Sequence, residues 1–259
     1  MAEDASMRFD AVLFDWGDTL VWVPGLTTSP GPHLECVEGL HRALVGDAHG
    51  RCLARAGTDW PRFRAVYEDV CAEQLAYSRQ TRREHRLEDR MTLALRGAGC
   101  ECVLDEAEAA ELARLFGRLL LERAHPVDGV HHVLRTLAAR HRLGVVANCA
   151  LAPLVHESLE RFDLRRYFGT VVVSGALGWV KPDARPFRQA LSDLGVDAGR
   201  AIVVGDDFTN DMQGGKAAGL TTAWLAPGRR RPEGDAIDHH LQALTELIEV
   251  VEGPVSPPA

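Results

Sequence analysis

FDAVLFDWGDTL, residues 9–20, carries a continuous apolar stretch and leaves it on two acids, Asp15 and Asp18, with Trp16 and Gly17 between them. An apolar run that does not alternate suits a parallel strand buried on both faces. Four further runs read the same way: LGVVA (143–147), TVVVS (170–174), AIVVG (201–205) and TTAWL (221–225). Helical periodicity separates them. Val130, Val133, Leu134, Leu137 and Ala138 share one face. Phe187, Ala190, Leu191 and Leu194 share another, with Gly195 as the C-terminal stop, and Leu241, Leu244, Leu247, Ile248 and Val251 form a last stripe. Strands alternating with helices specify the α/β class and a doubly wound parallel sheet.

One interval breaks the alternation. Between the first strand and LGVVA lie about 120 residues with no convincing strand. Helical stretches are expected instead near 33–46, 61–80, 84–97 and 106–124, the last with Leu112, Leu115, Phe116, Leu119 and Leu120 on one face. Residues 24–124 are therefore expected to be an inserted all-helical domain, with Pro24 and Pro126 near its hinges. Residues 1–23 and 125–252 would form the α/β core, and the Pro-rich GPVSPPA (253–259) a disordered tail.

Composition narrows the function. The chain of 259 residues is 46% hydrophobic and 25% charged, ordinary for a globular protein. A net charge of −8 argues against a nucleic-acid partner. No run approaches the ~18 apolar residues that a membrane span requires. The start, MAEDASMRFD, is acidic and lacks an apolar leader core, so the expected location is cytoplasmic. Six cysteines show no metal-ligand spacing, which suits free thiols in a reducing compartment. Only two lysines occur, Lys181 and Lys216, among 29 basic residues.

In doubly wound sheets the working residues sit just beyond the carboxyl ends of the strands. Those positions hold Asp15, Asn148, Lys181 a few residues beyond Ser174, and Asp206 with Asp207 and Asp211. Carboxylates this close repel unless a cation stands between them. Oxygen ligands with few nitrogens suit Mg²⁺, an ion that commonly serves phosphates. Asp207 reads as a cap for the following helix, and Cys149 as a small core residue with no partner base. The arginine-rich RQTRREHR (79–86) reads as a solvated helix face, with recognition of an anionic substrate as the alternative. RRRPE (229–233) reads as an exposed loop, and His131, His132, His239 and His240 carry no spacing signal.

FDWGDTL, VVAN, WVKPDARPF and VVGDDFTNDMQGGKAAGL, in this order, resemble the four motifs of the haloacid dehalogenase-like (HAD) hydrolase superfamily. The insertion resembles that superfamily's helical C1 cap, and the whole is phosphoglycolate phosphatase-like. The resemblance implies a Rossmann-like core and covalent catalysis by Asp15 through an aspartyl phosphate. It implies a Mg²⁺ cofactor on Asp15, Asp206, Asp211 and the backbone carbonyl of Gly17. Lys181 would offset the charge of the nucleophile and the phosphoryl group. Asn148, with Ala147 and Thr19 nearby, would hold the phosphoryl oxygens. The expected partner is a small phosphorylated metabolite, met by a monomer or homodimer, with no nucleic acid or membrane.

Two positions depart from the superfamily's phosphatase pattern. The acid usually found two residues after the nucleophile is Gly17, and the Ser/Thr of the second motif is Ala147. Asp18 stands where glycine is usual and is the candidate substitute acid. General acid help is worth about 10²–10⁴ in rate, so poor leaving groups should suffer most. Two alternatives stay open: a catalytically weak member that binds a ligand or partner, and a 2-haloacid dehalogenase-like hydrolase. The latter needs no metal, so the Asp206/Asp211 pair argues against it. Residues 24–124 contain no lysine, which excludes the Schiff-base chemistry of the related phosphonoacetaldehyde hydrolases.

Overall fold

The computed structural model describes residues 8–23, 33–46, 59–100 and 104–253. The expected hinge at Pro24, Cys52, Cys102 and residues 254–259 of the tail lie outside them. Six strands form one sheet in the order β5-β4-β1-β6-β7-β8. They are β1 (Ala11–Phe14), β4 (Arg142–Ala147), β5 (Phe168–Val173), β6 (Ala201–Gly205), β7 (Thr221–Leu225) and β8 (His239–Leu241). Every neighbouring pair is parallel.

The unbroken apolar runs have a direct physical cause here. Val12, Phe14, Val145 and Val204 face one buried cluster, while Ala11, Leu13, Val146 and Val203 face another with Phe187, Ala190 and Leu191. Both faces of the sheet are therefore covered, as parallel sheets require. Strand β1 lies between β4 and β6, with Ala11 opposite both Arg142 and Ala201. The chain order reverses at this point, which in such sheets is where the carboxyl ends of the strands place the working residues.

Two strand features went unexpected. β8 is three residues long and begins with two histidines, so it offers no apolar run, and Leu241 belongs to it rather than to the last helix. That helix starts only at Leu247 (Leu247–Glu252), after a 3₁₀ turn. Next to the insertion, β2 (Val21–Trp22) pairs antiparallel with β3 (His125–Pro126). The Trp22 and His125 rings stack there with centroids 4.7 Å apart.

Among the described residues, four helices lie between β2 and β3: α1 (His33–Gly46), α2 (Trp60–Thr81), α3 (Leu87–Gly97) and α4 (Glu106–Leu121). Asp59 caps α2 by accepting from the Arg62 N–H. Asp105 and Glu108 form a reciprocal capping box on α4. Helix α3 starts at Leu87 rather than 84, because the chain from Arg82 to Glu84 runs against the core instead. Helix α4 packs on the core helix α6 (Ala152–Arg161). A Cβ at Gly117 would lie 2.6 Å from Leu151 Cδ2, so a side chain there would have to displace the tip of that leucine. One apolar cluster runs continuously from the sheet into these helices. The core helices α5 (Val130–Leu137) and α7 (Ala184–Leu194) complete the layers, and Gly195 ends the latter at φ +63°. Among the described residues no helix is long and apolar enough to cross a membrane.

Candidate functional site

The carboxyl ends of β1, β4 and β6 bring the polar residues together. Asp15 follows β1, its N–H bound to the Val204 carbonyl of β6 at 2.9 Å. Lys181, only 2% exposed, reaches in from the loop after β5. Its Nζ donates to Asp15 Oδ1 and to Asp211 Oδ1, both at 2.6 Å, and to the Val146 carbonyl at 2.7 Å. All three ammonium hydrogens are thereby engaged. Asp206 completes the group: Asp15, Asp206 and Asp211 each offer a carboxylate oxygen within 4.8 Å of the others.

Local backbone chemistry places these acids. Asp206 follows the last residue of β6, and Trp224 Nε1 of β7 holds its carbonyl at 2.9 Å. Asp207 caps the next turn by accepting from the N–H groups of Thr209 and Asn210. That turn, Phe208–Gln213, is π-helical. Such turns recur at functional sites because they re-aim side chains. Asp211 sits on it, with Oδ2 accepting the Asp207 N–H at 3.1 Å.

The electrostatics are those of too many negative charges for one cation. Burial, and then the charges of Asp15, Asp211 and Asp18, push the Asp206 carboxyl up to about 8. Burial pushes Asp211 up to about 7, against the pull of Lys181. Burial also works against the Lys181 charge, but Asp15 and Asp211 outweigh it and hold the ammonium well above its ordinary range.

The remaining predicted residues fall as follows. Gly17 is buried and bridges to Val21, while Asp18 adopts φ +54°. The left-handed conformation explains why glycine suits that slot and why an Asp, which tolerates it, can replace it. Thr19 is fully buried, and its hydroxyl has no hydrogen-bond partner among the described residues. Ala147 is buried at the end of β4. Asn148 does something the sequence did not foretell: both its polar atoms engage the main chain of Lys181. Cys149 is half-buried and packs against the core cluster, and burial pushes its thiol up to about 12. Among the described cysteines, Cys36, Cys71 and Cys149 are free thiols.

Sequence reasoning missed Gly205. A Cβ there would lie 2.3 Å from Asp211 Oδ2, so the missing side chain makes room for the carboxylate. It also missed Glu84 and Ser174, which meet across the insertion and the core at 2.6 Å.

Residues 91–225, just over half of the chain, match the family model described as "Haloacid dehalogenase-like hydrolase". The chain belongs to that family. Pyrimidine 5'-nucleotidase YjjG of Escherichia coli (strain K12) is 34% identical over 146 residues, 56% of this chain and 64% of that protein. Phosphoserine phosphatase of Thermus thermophilus is 33% identical over 129 residues, 49% of this chain and 51% of that protein. The HAD-like chain thus spans between half and two thirds of the length of these two curated relatives. Among solved structures, a 2-haloacid dehalogenase from Pseudomonas syringae pv. Tomato DC3000 superposes with a TM-score of 0.67 at 25% identity, covering 94% of this chain and 98% of that one. The putative HAD-hydrolase YfnB from Bacillus subtilis, bound to magnesium, gives 0.62 at 21% identity over 94% and 99% of the two chains, a likeness of fold.

Proposed function

We propose that this HAD-like hydrolase is a Mg²⁺-dependent phosphohydrolase that removes the phosphoryl group from a small metabolite through an aspartyl phosphate on Asp15. The observation that carries this reading is the buried Lys181 ammonium held 2.6 Å from Asp15 and from Asp211. Such a cation beside a strand-end carboxylate suits an incoming anion. The relatives named as nucleotidase and phosphatase support the same class.

The donor set among the described residues fits Mg²⁺: three clustered carboxylates, no nitrogen or sulfur ligand, and one ammonium shared between two of them. Asp15, Asp206, Asp211 and the Gly17 carbonyl would hold the ion. When bound, it supplies charge that screens the nucleophile from the substrate and polarises the phosphoryl oxygens. In this reading an Asp15 oxygen bonds to phosphorus as the ester P–O bond breaks, and the leaving oxygen takes up a proton. Water then attacks the phosphorus, releasing phosphate and restoring the carboxylate. Lys181 offsets the charge gathered on nucleophile and phosphoryl group. Residues 24–124 act as the cap over this chemistry.

Gly17 cannot supply the proton. In this reading Asp18, one residue on in the same turn and at φ +54°, serves as acid for alkyl leaving groups. Acyl phosphates leave without that help. The test is turnover of acetyl phosphate and of a simple alkyl phosphate with Mg²⁺, in wild type, Asp15→Asn and Asp18→Asn. Asn keeps the left-handed backbone while removing the proton. We expect Asp15→Asn to abolish both activities and Asp18→Asn to reduce only alkyl phosphate turnover, by about 10²–10⁴. Wild-type protein inert on both would favour the ligand-binding reading to which Gly17 and Ala147 point.

A further inference from the structure

The arginine-rich stretch of the insertion is not simply a solvated face. Helix α2 ends with Arg82 at φ +62°, which turns the next residues onto the core. The Arg82 carbonyl accepts the Val180 N–H at 3.0 Å, and the Glu84 N–H donates to the Gly178 carbonyl at 3.2 Å. Arg83 bridges antiparallel to Trp179 between them. The Trp179 ring is approached by the Arg83 guanidinium at 3.8 Å and by the Arg185 guanidinium at 3.3 Å. Lys181 follows two residues after this ring.

A second route leads to the same lysine. Ser174 Oγ donates to Glu84 Oε2 at 2.6 Å and accepts the Cys149 N–H at 2.8 Å. The other Glu84 oxygen accepts the His85 N–H at 2.9 Å, which fixes the carboxylate. Cys149 adjoins Asn148, which grips the Lys181 main chain. The two loops cannot slide apart freely. The Gly175 N–H donates to the Cys149 carbonyl at 3.0 Å, and a Cβ at Gly175 would lie 2.5 Å from the Ala150 carbonyl oxygen.

We infer that Glu84 is a positioning residue of the insertion that sets the place of the Lys181 ammonium, through Ser174, Cys149 and Asn148 on one side and through Gly178–Val180 on the other. The consequence for turnover rests on the phosphohydrolase reading; the consequence for Lys181 does not.

The chain's two lysines make this measurable without any substrate. Lys181 is buried with three acceptors, whereas the Lys216 side chain is about a third exposed and pairs with Asp238. Trace acetylation with an amine-directed reagent, read by mass spectrometry, gives the Lys181-to-Lys216 labelling ratio. We expect Glu84→Ala to raise that ratio about tenfold and Glu84→Gln, which keeps an oxygen for Ser174, to leave it near wild type. On acetyl phosphate, Glu84→Ala should lower kcat about tenfold with KM little changed, and Glu84→Gln should restore it. Ser174→Ala breaks the same relay from the core side and stands in if Glu84→Ala fails to fold. An unchanged labelling ratio in the folded alanine variants would overturn the inference. A wild type that turns over no phosphate would count against the phosphohydrolase reading alone, with the labelling ratio still deciding the role of Glu84.

Discussion

Asn148 holds the main chain of Lys181 from both sides: its Nδ2 donates to the Lys181 carbonyl at 3.0 Å, and its Oδ1 accepts the Lys181 N–H at 2.8 Å. The amide therefore acts on the position of the lysine. Asn148→Ala should lower kcat by about 10–100-fold with KM nearly constant, because a small misplacement of the ammonium weakens transition-state contacts above all. Steady-state kinetics on acetyl phosphate provide the check. A rise in KM with kcat intact would instead mark the amide as a direct phosphoryl ligand.

Lys181 is also the cation that lets three carboxylates share a buried site. Lys181→Met keeps the apolar stem and removes the charge, leaving Asp15 and Asp211 without their partner. Breaking a buried ion pair by deleting one member costs about 3–5 kcal/mol. Urea unfolding in EDTA should show a loss of that size, and added Mg²⁺ should recover part of it by binding the folded state. A variant as stable as wild type in EDTA would show that the acids do not depend on the lysine.

The sheet was legible because burial on both faces writes itself as continuous apolar runs, and β4 to β7 lie within two residues of where those runs fall. The clustering of Asp15, Lys181, Asp206 and Asp211 was legible because strand ends in such a sheet converge. The double grip of Asn148 was not, since sequence spacing does not reveal which side chain meets a backbone 33 residues away. Nor could the pairing of Arg82–Glu84 with Gly178–Val180 be read, because a run of charges looks the same whether it faces water or a tryptophan. β8 was hidden for a third reason: His239 and His240 line a sheet edge that needs little apolar surface.

His141, at the opposite end of β4, predicts a pH dependence of stability. Its Nδ1 lies 3.0 Å from the Phe9 carbonyl and its Nε2 3.8 Å from Glu252, in a nearly closed setting. Burial, and in smaller part the charge of Arg140, holds the imidazole below its ordinary value, against the Phe9 carbonyl, Glu252 and Asp10. The folded value is depressed, so the stability it supports is present above the unfolded value of about 6.5 and is lost as pH falls through the folded one. Wild type should therefore lose stability relative to His141→Gln on acidification below about pH 6.5. Paired urea titrations either side of that pH provide the measurement. A constant difference between the two proteins would remove His141 from the account.

Gly205, the last residue of β6, is where backbone and carboxylate compete for the same space. An added Cβ would sit 2.3 Å from Asp211 Oδ2 and 2.7 Å from Asp211 Cβ, closer than real atoms approach. Asp211 cannot yield cheaply, because Oδ1 is held by Lys181 and Oδ2 by the Asp207 N–H. Gly205→Ala must then push the π-helical turn away from the strand, separating Asp211 from Asp15 and Lys181. Overpacking of this kind costs about 1–3 kcal/mol, and the displacement should lower kcat by about 10²-fold. It should also shrink the rise in Tm that Mg²⁺ gives wild type. Gly199→Ala, whose Cβ would meet nothing within 4 Å, is the matched control and should leave both readouts unchanged. If Gly205→Ala kept full activity and a full response to Mg²⁺, the placement of Asp211 would not depend on the strand end that adjoins it.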